Sequence, residues 1–287
     1  MEAVKTKTDI EQLEKIASQV RRDIVRMVHC RASGHPGGSL GCADYFVALF
    51  FHILKHNPDF SMDGKNEDLF FLSNGHISAV WYSCLARSGY FDVEELGTFR
   101  DINSRVQGHP ATEEGLPGIR MASGSLGQGL SVGCGAALTK KLNGDDRLVY
   151  VLMGDGEQQE GQIWEAAMYA AHNKVDNLIA AIDYNGQQID GPVDKIVSLG
   201  NLKAKYEAFG WEVIELEKGN DMKSVVETLE HAKTLTGKGK PVMIIMRTEM
   251  GYGVDYMMGS HKWHGVAPND AECALALDQL QETLGDY

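Results

Sequence analysis

The sequence predicts an α/β fold built on a mostly parallel, doubly wound sheet with helices on both faces. Four short apolar runs support this prediction, at 147–153, 178–182, 211–216 and 242–246. Helix-length segments separate the later runs, and continuously apolar runs are typical of strands that are buried on both faces. Because parallel sheets bind ligands at the carboxyl ends of their strands, the residues that follow each run are the first candidates for function.

Helical periodicity occurs before and between these runs. The first predicted helix covers 8–32, and a glycine-rich turn at 34–38 is expected to end it. Its apolar positions recur at steps of three and four residues: Ile10, Leu13, Ile16, Val20, Ile24 and Met27. A second helix is predicted at 42–54 and a third at 160–173. The segment 122–138 is rich in Gly, Ala and Ser, which fits either close backbone approach at a binding site and dimer interface or an ordinary core helix.

The bulk composition excludes several classes of protein. The 287 residues are 43% hydrophobic and 23% charged, as in ordinary globular proteins, and we expect one domain over 1–287. The net charge of −13 argues against a nucleic-acid partner, which needs a basic surface. The longest apolar run, 45–54, is too short to cross a membrane, and 1–15 lacks the apolar core of a signal peptide. Five cysteines without CxxC spacing indicate reduced thiols in a cytoplasmic protein: Cys30, Cys42, Cys84, Cys134 and Cys273.

The sharpest pattern is a Gly-Asp-Gly sequence directly after the first apolar run, followed by Asn185 after the next run. The Asp155 carboxylate, the Asn185 amide oxygen and the Gln187 backbone carbonyl are oxygen donors of the kind that Mg²⁺ prefers. Gly156 lets the backbone approach a phosphate, and the following helix directs its amino terminus at the anion. The alternative is an ordinary glycine-rich turn in which Asp155 only caps a helix.

Five of the ten histidines lie in Gly- or Pro-rich contexts or in a Ser-His pair: His35, His76, His109, His261 and His264. Loops held by a rigid scaffold are where binding and catalytic groups concentrate. Imidazole suits proton transfer because its ordinary pKa is about 6.5. A single loop histidine is more often a polar surface residue, but several of them together with a metal-diphosphate site indicate a functional cluster.

Taken together, these motifs resemble those of the transketolases, in the same order along the chain. They are SGHPG at 33–37, LSNGH at 72–76, QGHP at 107–110, GSLGQG at 124–129, and GDG at 154–156 followed by Asn185. The stretch 89–100 is also similar to that family. The resemblance extends over about 10–268, so it covers nearly the whole chain.

The resemblance implies a thiamine-diphosphate-binding fold, with thiamine diphosphate as cofactor and Mg²⁺, or Ca²⁺ or Mn²⁺, as its metal. The implied metal ligands are Asp155, Asn185 and the carbonyl of Gln187. The implied cofactor-binding residues are His76, Gly124, Ser125, Leu126, Gly156, Glu160, Asn185 and His264. The implied catalytic residues are His35, His109 and His264. Glu160 matches a residue that reaches across a subunit interface, and its alternative is a carboxylate favoured by a helix dipole. His264 matches the family better than His261 because the family residue directly precedes a glycine.

The resemblance also implies an activity and a partner. Transketolases move a two-carbon ketol unit from a ketose phosphate to an aldose phosphate, and the carbanion chemistry belongs to the cofactor. In this family a glutamate from a pyrimidine-binding domain activates the cofactor, and no second α/β repeat follows here to supply it. We therefore expect the N-terminal subunit of a split transketolase, or an excised domain. Its expected partner is a C-terminal subunit with the pyrimidine-binding domain, in an α2β2 assembly, and its expected substrates are sugar phosphates.

Other interpretations remain open at this point. The α subunit of a thiamine-dependent 2-oxo-acid dehydrogenase carries a similar GDG and Asn pattern, but nothing in that enzyme calls for both GHP motifs. Deoxyxylulose-phosphate synthase shares GDG but has different histidine contexts. A ketol transferase for an unusual sugar fits the same residues. A non-catalytic regulatory subunit of the same fold is the remaining alternative, and the full set of cofactor and histidine motifs argues against it.

Overall fold

The computed structural model describes residues 9–287, and a five-stranded sheet lies at its centre. The strands are β1 (Leu69–Leu72), β2 (Val149–Gly154), β3 (Leu178–Tyr184), β4 (Gln187–Gln188), β5 (Gly191–Pro192), β6 (Glu212–Leu216) and β7 (Val242–Arg247). The central sheet has the order β1-β2-β3-β7-β6, and all its neighbouring strands are parallel. The remaining two strands, β4 and β5, form a short antiparallel hairpin. The predicted parallel sheet is therefore confirmed.

Helices connect and cover these strands. They are α1 (Ile10–Cys30), α2 (Pro36–Gly41), α3 (Ala43–Ala48), α4 (Ser78–Arg87), α5 (Gly129–Leu142), α6 (Gly161–His172), α7 (Val193–Ile196), α8 (Leu202–Phe209), α9 (Met222–Leu235) and α10 (Asp270–Gln279). A π-helical turn, Leu49–Ile53, continues α3. Within residues 9–287, no helix combines the length and apolar character that crossing a bilayer requires.

Helices cover both faces of the sheet because successive strand residues point to opposite sides. In β2, Tyr150 and Leu152 belong to one hydrophobic core, while Val149, Val151 and Met153 belong to the other. The first core includes residues of α1, α3, α4, α9 and α10, and the second includes residues of α5, α6 and α8. Removing both sheet faces from water is the main favourable contribution to folding. The doubly wound arrangement that the sequence predicts is confirmed.

Some predicted elements need correction. The turn expected at 34–38 is in part the helix α2, which starts at Pro36 because proline is well tolerated in the first turn of a helix. Glycine fits there for steric reasons, since a Cβ at Gly37 would lie 2.6 Å from Met250 Cγ. The helix expected at 42–54 divides into α3 and the π-helical turn. The strand β1 was not predicted, since a run of four residues is too short to show a period.

Candidate functional site

The carboxyl ends of four parallel strands bring polar side chains to one edge of the sheet. Asn74 follows β1, Asp155 follows β2, Asp183 lies near the end of β3, and Thr248 follows β7. A cavity of about 260 Å³ opens at this edge. Predicted site residues that line the cavity are His35, His76, Gly124, Leu126, Asp155, Gly156, Glu160, Asn185, Gln187 and His264. Segments far apart in the sequence therefore meet where a parallel sheet binds ligands.

Asp155 and Asn185 are held in place by short-range hydrogen bonds. Asp155 is 2% exposed, and its two carboxylate oxygens accept from the amides of Gly156, at 2.7 Å, and Gly186, at 2.5 Å. The Asn185 side chain donates to Asp183 at 2.8 Å and accepts from the amide of Gln187 at 2.9 Å. These contacts orient the carboxylate and the amide oxygen beside the same cavity.

The electrostatics of Asp155 fit a cation. Burial, followed by the charge of the neighbouring Asp183, raises the pKa of Asp155 to about 7. The pKa of Asp183 is also raised by burial, although Thr248, Cys42 and Asn185 hydrogen-bond to its carboxylate. Two buried carboxylates side by side are costly when both are ionised. A divalent cation bound to Asp155 would offset that cost.

The donor set and the cavity also fit a metal-bound diphosphate. Within residues 9–287 there is no cluster of three or more His, Cys, Asp or Glu side chains that could hold a metal. The candidate set instead combines one carboxylate, one amide and one backbone carbonyl, which leaves places for phosphate oxygens. Buried polar atoms in the cavity wall also lack partners in this part of the chain: Asn74 Oδ1, His35 Nδ1, Gln187 Oε1 and Gln188 Nε2. Such atoms are expected where a polar ligand binds.

Three histidines form a compact cluster at the cavity. The ring centroids of His35 and His76 lie 5.0 Å apart, those of His76 and His264 lie 5.0 Å apart, and those of His35 and His264 lie 5.8 Å apart. His35 directly precedes α2, and His76 lies in the 3₁₀ turn that follows β1. His264 ends another 3₁₀ turn, which the buried Trp263 anchors through a 3.0 Å hydrogen bond to the Tyr256 carbonyl.

The histidine cluster is neutral at physiological pH. Burial, with the nearby charges of His264, Arg100 and His109, lowers the pKa of His35 to about 4. Burial also holds the pKa of His76 well below its ordinary value and lowers the pKa of His264. A neutral imidazole has one donor and one acceptor nitrogen, so each ring can both accept and donate a hydrogen bond.

Three predicted site residues, and His261, whose role the sequence left open, lie at the margin of the cavity or outside it. His109 is exposed and lines a neighbouring cavity, although its ring lies 6.2 Å from that of His35. Ser125 is exposed and does not line the cavity. Glu160 is exposed at the N-cap of α6 and makes no capping hydrogen bond through its side chain. His261 is exposed and does not line the cavity.

Glu157 is a structural feature of the site that the sequence analysis missed. Its side chain is buried and hydrogen-bonds to the Ser73 hydroxyl, to the Gly127 amide at 2.6 Å and to the Gly154 amide at 3.0 Å. It thereby joins the ends of β1 and β2 to the loop that contains Leu126. Asp183 was also missed as a partner of Asn185. Its position two residues before Asn185, on the same face of an extended strand, was the available signal.

Comparisons with known proteins agree in family and fold. Residues 12–285 match the family described as transketolase, thiamine diphosphate binding domain. The chain is 38% identical over 273 residues to one subunit of an apulose-4-phosphate transketolase from Actinobacillus succinogenes, covering 95% of this chain and 97% of that protein. It is 35% identical to one subunit of a 6-deoxy-6-sulfo-D-fructose transketolase from Clostridium sp., covering 94% and 96%.

Solved structures give the same picture. The chain is similar to the transketolase from Campylobacter jejuni with a TM-score of 0.86 and 37% identity, over 95% of this chain and 43% of that one. The chain therefore spans less than half the length of that solved transketolase but nearly all of the two relatives described as subunits.

Proposed function

Because this chain belongs to the transketolase thiamine diphosphate-binding family, we propose that it is the diphosphate-binding subunit of a split transketolase. Such a protein transfers a two-carbon ketol unit from a ketose phosphate to an aldose phosphate. The observation that carries the proposal is the convergence of Asp155, Asn185 and three neutral histidines on one cavity at the carboxyl edge of the sheet. We also infer that residues 1–287 form one cofactor-binding domain, since both described cores share a single sheet.

The cofactor and its metal are assigned to specific residues. Asp155, Asn185 and the Gln187 carbonyl would hold Mg²⁺, or Ca²⁺ or Mn²⁺ in its place. The amide of Gly156, the ring of His76 and the 124–126 segment would hold the diphosphate and pack on the cofactor. When bound, thiamine diphosphate supplies the carbanion-stabilising chemistry that ketol transfer needs. The buried, hydrogen-bonded surroundings of Asp155 fix the donors in advance, which reduces the entropic cost of binding.

The histidines are assigned to proton transfer and substrate orientation. His35, His109 and His264 would contact the hydroxyl groups of the sugar and accept or donate their protons. Their lowered pKa values keep them neutral, so that a ring can accept a proton from a hydroxyl near pH 7. The partnerless Nδ1 of His35 is available for such a contact. Glu160, at an exposed helix end, would reach the partner subunit.

A partner subunit is part of this proposal. Both relatives that this chain matches almost end to end are described as subunits of transketolases. We propose that the partner is a C-terminal transketolase subunit that supplies the pyrimidine-binding domain, and that the two assemble as a cytoplasmic α2β2 heterotetramer. The active site would then form at the interface between the two kinds of subunit.

A second possibility concerns the sugar. The names of these two relatives specify apulose 4-phosphate and 6-deoxy-6-sulfo-D-fructose. A ketol transferase for an unusual, branched or modified sugar therefore fits the same cavity. The donor chemistry is the same, so the alternative changes the substrate and leaves the assigned roles of Asp155 and the histidines unchanged.

The test is a ketol-transfer assay with Mg²⁺ and thiamine diphosphate. Xylulose 5-phosphate and apulose 4-phosphate serve as donors, and ribose 5-phosphate serves as the acceptor. The assay is run on this chain alone and on this chain mixed with the candidate C-terminal subunit. Transfer in the mixture alone is the expected result. Transfer by this chain alone would contradict the split active site. Cofactor binding without transfer from any donor in the mixture would contradict the proposed activity.

A further inference from the structure

One acidic side chain joins three loops around the cofactor cavity. Glu157 is 2% exposed, and it lies in the 3₁₀ turn Gly156–Gln159 that follows β2. One oxygen of its carboxylate, Oε1, accepts from the Ser73 hydroxyl and from the Gly127 amide at 2.6 Å. The other oxygen, Oε2, accepts from the Gly154 amide at 3.0 Å. Both oxygens of the carboxylate therefore accept from donors of the chain itself.

The three partners of Glu157 belong to three different loops, which are 73–76 after β1, 123–127 before α5 and 154–157 at the end of β2. Each loop contributes residues to the wall of the cofactor cavity: Asn74 and His76 from the first, Gly124 and Leu126 from the second, Asp155 and Gly156 from the third. A ligand in the cavity would touch these residues, whereas the oxygens of Glu157 are already occupied by the hydrogen bonds that join the loops.

The Ser73 hydroxyl extends this network to the first turn of α5. While it donates to Glu157, it accepts from the Gly129 amide at 2.9 Å. Gly129 is the first residue of α5, so its amide is one of the four that an α-helix leaves without an intrahelical partner. The carboxylate of Glu157 thus lies beside the amino terminus of α5, where the helix dipole favours a negative charge.

Two of these loops also pack tightly against each other. A Cβ at Gly129 would lie 2.4 Å from Ser73 Cβ, and a Cβ at Gly75 would lie 2.3 Å from the Ser123 carbonyl oxygen. The loops can approach this closely because glycine stands at both contacts. Backbone amides that are buried in such a contact cost free energy unless an acceptor faces them. Glu157 supplies that acceptor.

An apolar side chain at position 157 would not satisfy the same groups. A buried ion pair can often be replaced by apolar residues of similar volume, because both charged partners are removed together. Here two of the three partners are the backbone amides of Gly127 and Gly154, which no substitution of their side chains removes. The arrangement of the three loops therefore depends on an acceptor at position 157.

We propose that Glu157 is a positioning residue for the cofactor, which holds the loops 73–76 and 123–127 in the arrangement that binds thiamine diphosphate before the cofactor arrives. This inference rests on the proposed function, because it assumes that the cavity binds this cofactor. It assigns Glu157 no contact with the substrate and no part in proton transfer. Its contribution is preorganisation of the site, which lowers the entropic cost of binding.

Glu157→Gln is the first test variant, since it keeps the size of the side chain and replaces one acceptor oxygen by an NH₂ group. In either orientation the NH₂ group faces a backbone amide, that of Gly127 or that of Gly154, so at least one hydrogen bond is lost. Ser73→Ala is a milder second variant, which removes one of the three donors and the acceptor of Gly129. It keeps the proposal testable if Glu157→Gln does not fold.

Tyr206→Phe is the matched control within the same turn. The neighbour of Glu157, Gln158, points away from the three loops, and its Oε1 accepts from the buried Tyr206 hydroxyl at 2.6 Å. Tyr206→Phe therefore removes a buried hydrogen bond from the other side of the turn and leaves the partners of Glu157 in place. It measures what a loss of stability alone does to the cofactor site.

The first measurement is hydrogen exchange on this chain alone, without cofactor. The amides of Gly127 and Gly129 depend on Glu157, directly and through Ser73. We expect Glu157→Gln to speed the exchange of the Gly127 amide about 10-fold or more, and Ser73→Ala to do the same at Gly129. Tyr206→Phe should leave both amides nearly unchanged. Equal exchange in the parent and in these two loop variants would overturn the proposal.

The second measurement is the affinity of the two-subunit complex for thiamine diphosphate with saturating Mg²⁺, followed by quenching of tryptophan fluorescence. We expect Glu157→Gln to raise the Kd about 10-fold or more, and Tyr206→Phe to change it less than about twofold. With saturating cofactor, KM for xylulose 5-phosphate should change little in either variant. An unchanged Kd in Glu157→Gln, or an equal rise in both variants, would overturn the proposal.

The two proposals fail in different ways. A parent complex that binds the cofactor but transfers no ketol unit would contradict the proposed function, while exchange and cofactor affinity would still decide the role of Glu157. A parent complex that binds no cofactor would contradict both proposals. Normal transfer by the parent, with the same cofactor affinity in Glu157→Gln, would contradict only the role of Glu157.

Discussion

At the scale of single residues, the site combines groups that are costly in isolation. Asp155 lies beside Asp183 with its pKa raised to about 7, and His35 is buried with its pKa lowered to about 4. Stability alone does not favour such an arrangement, because neutral apolar residues of similar size would avoid the desolvation cost. Strongly perturbed pKa values in a cleft are typical of functional sites. The same values make these residues sensitive to substitution and to pH.

Replacing Asp155 tests the assigned metal site. We expect Asp155→Ala to weaken thiamine diphosphate binding in the presence of Mg²⁺ on the order of 100-fold or more, because it removes the one carboxylate of the donor set. The chain should remain folded, since the substitution also removes a costly buried charge. Quenching of tryptophan fluorescence measures binding, and circular dichroism checks the fold. Asp278→Ala, on the exposed side of α10, is the control. Unchanged affinity in Asp155→Ala would refute the assignment.

The lowered pKa of His35 predicts a pH dependence of stability. The unfolded chain takes up a proton at His35 as the pH falls below about 6.5, whereas the folded chain resists protonation until about pH 4. The free energy of unfolding should therefore decrease as the pH falls from about 6.5 to about 4. Urea denaturation of this chain without cofactor at pH 7.5, 6.5 and 5.5 measures the free energy of unfolding. Between these pH values it should decrease less in His35→Gln than in the parent. His231 is exposed, so His231→Gln should show the same pH dependence as the parent. The same change in the free energy of unfolding with pH in all three proteins would contradict the prediction.

At the scale of elements, α5 shows why its segment is rich in small residues. Gly133 faces the sheet, and a Cβ there would lie 2.4 Å from Val151 Cγ2. Gly135, two residues later, has no atom within 4 Å of the corresponding position. The helix therefore needs glycine on its inner face, where it packs on β2, while glycine on its outer face has no steric reason within this chain. The core-helix interpretation of 122–138 applies to the part that begins at Gly129.

These two glycines provide a matched pair of substitutions within one helix. Gly133→Ala should lower the free energy of unfolding by about 1–3 kcal/mol, because the new methyl group pushes α5 away from the sheet. Gly135→Ala should raise it by about 0.5–1 kcal/mol, because alanine loses less backbone entropy in a helix. Urea denaturation of the chain alone measures both. Changes of the same sign in the two variants would show that α5 does not pack on β2 in this register.

At the scale of the whole molecule, one surface has the character of an interface. Val132 on α5 and both Met168 and Tyr169 on α6 are large apolar residues with 39%, 58% and 52% of their surface exposed. Tyr169 lines a shallow cavity of about 500 Å³ between the two helices, and Met168 is its neighbour in the chain. Grouped exposed apolar residues mark association sites more often than single ones do. This surface is a candidate for contact with a further subunit.

A charge on this surface should impair assembly without affecting the fold. We expect Met168→Glu to weaken association with the partner subunit, or of this chain with itself, by about 10-fold or more. Analytical ultracentrifugation measures association, and the urea midpoint of the isolated chain should change little. Leu275→Glu is the control, because Leu275 on α10 is 57% exposed and belongs to the other side of the sheet. Equal association of the two variants would exclude the α5 and α6 surface.

The sequence by itself determined the parallel sheet and its two covered faces, and it singled out ten of the residues that line the cavity. Continuous apolar runs report burial on both faces, and Asp155 and Asn185 follow such runs directly, so local patterns carry this information. The histidine motifs were recognisable because each retains its own short context. These features depend on neighbouring residues in the chain and need no knowledge of packing.

Only the tertiary structure decided which distant groups touch. The three hydrogen bonds of Glu157 and the ring contacts of His35 with His76 and His264 join residues that no local pattern relates. The strand β1 was missed for the same reason, because its pairing with β2 defines it more than its four residues do. Burial and desolvation depend on the complete packing of the chain, so the perturbed pKa values of Asp155 and His35 follow from the fold and cannot be derived from residue order.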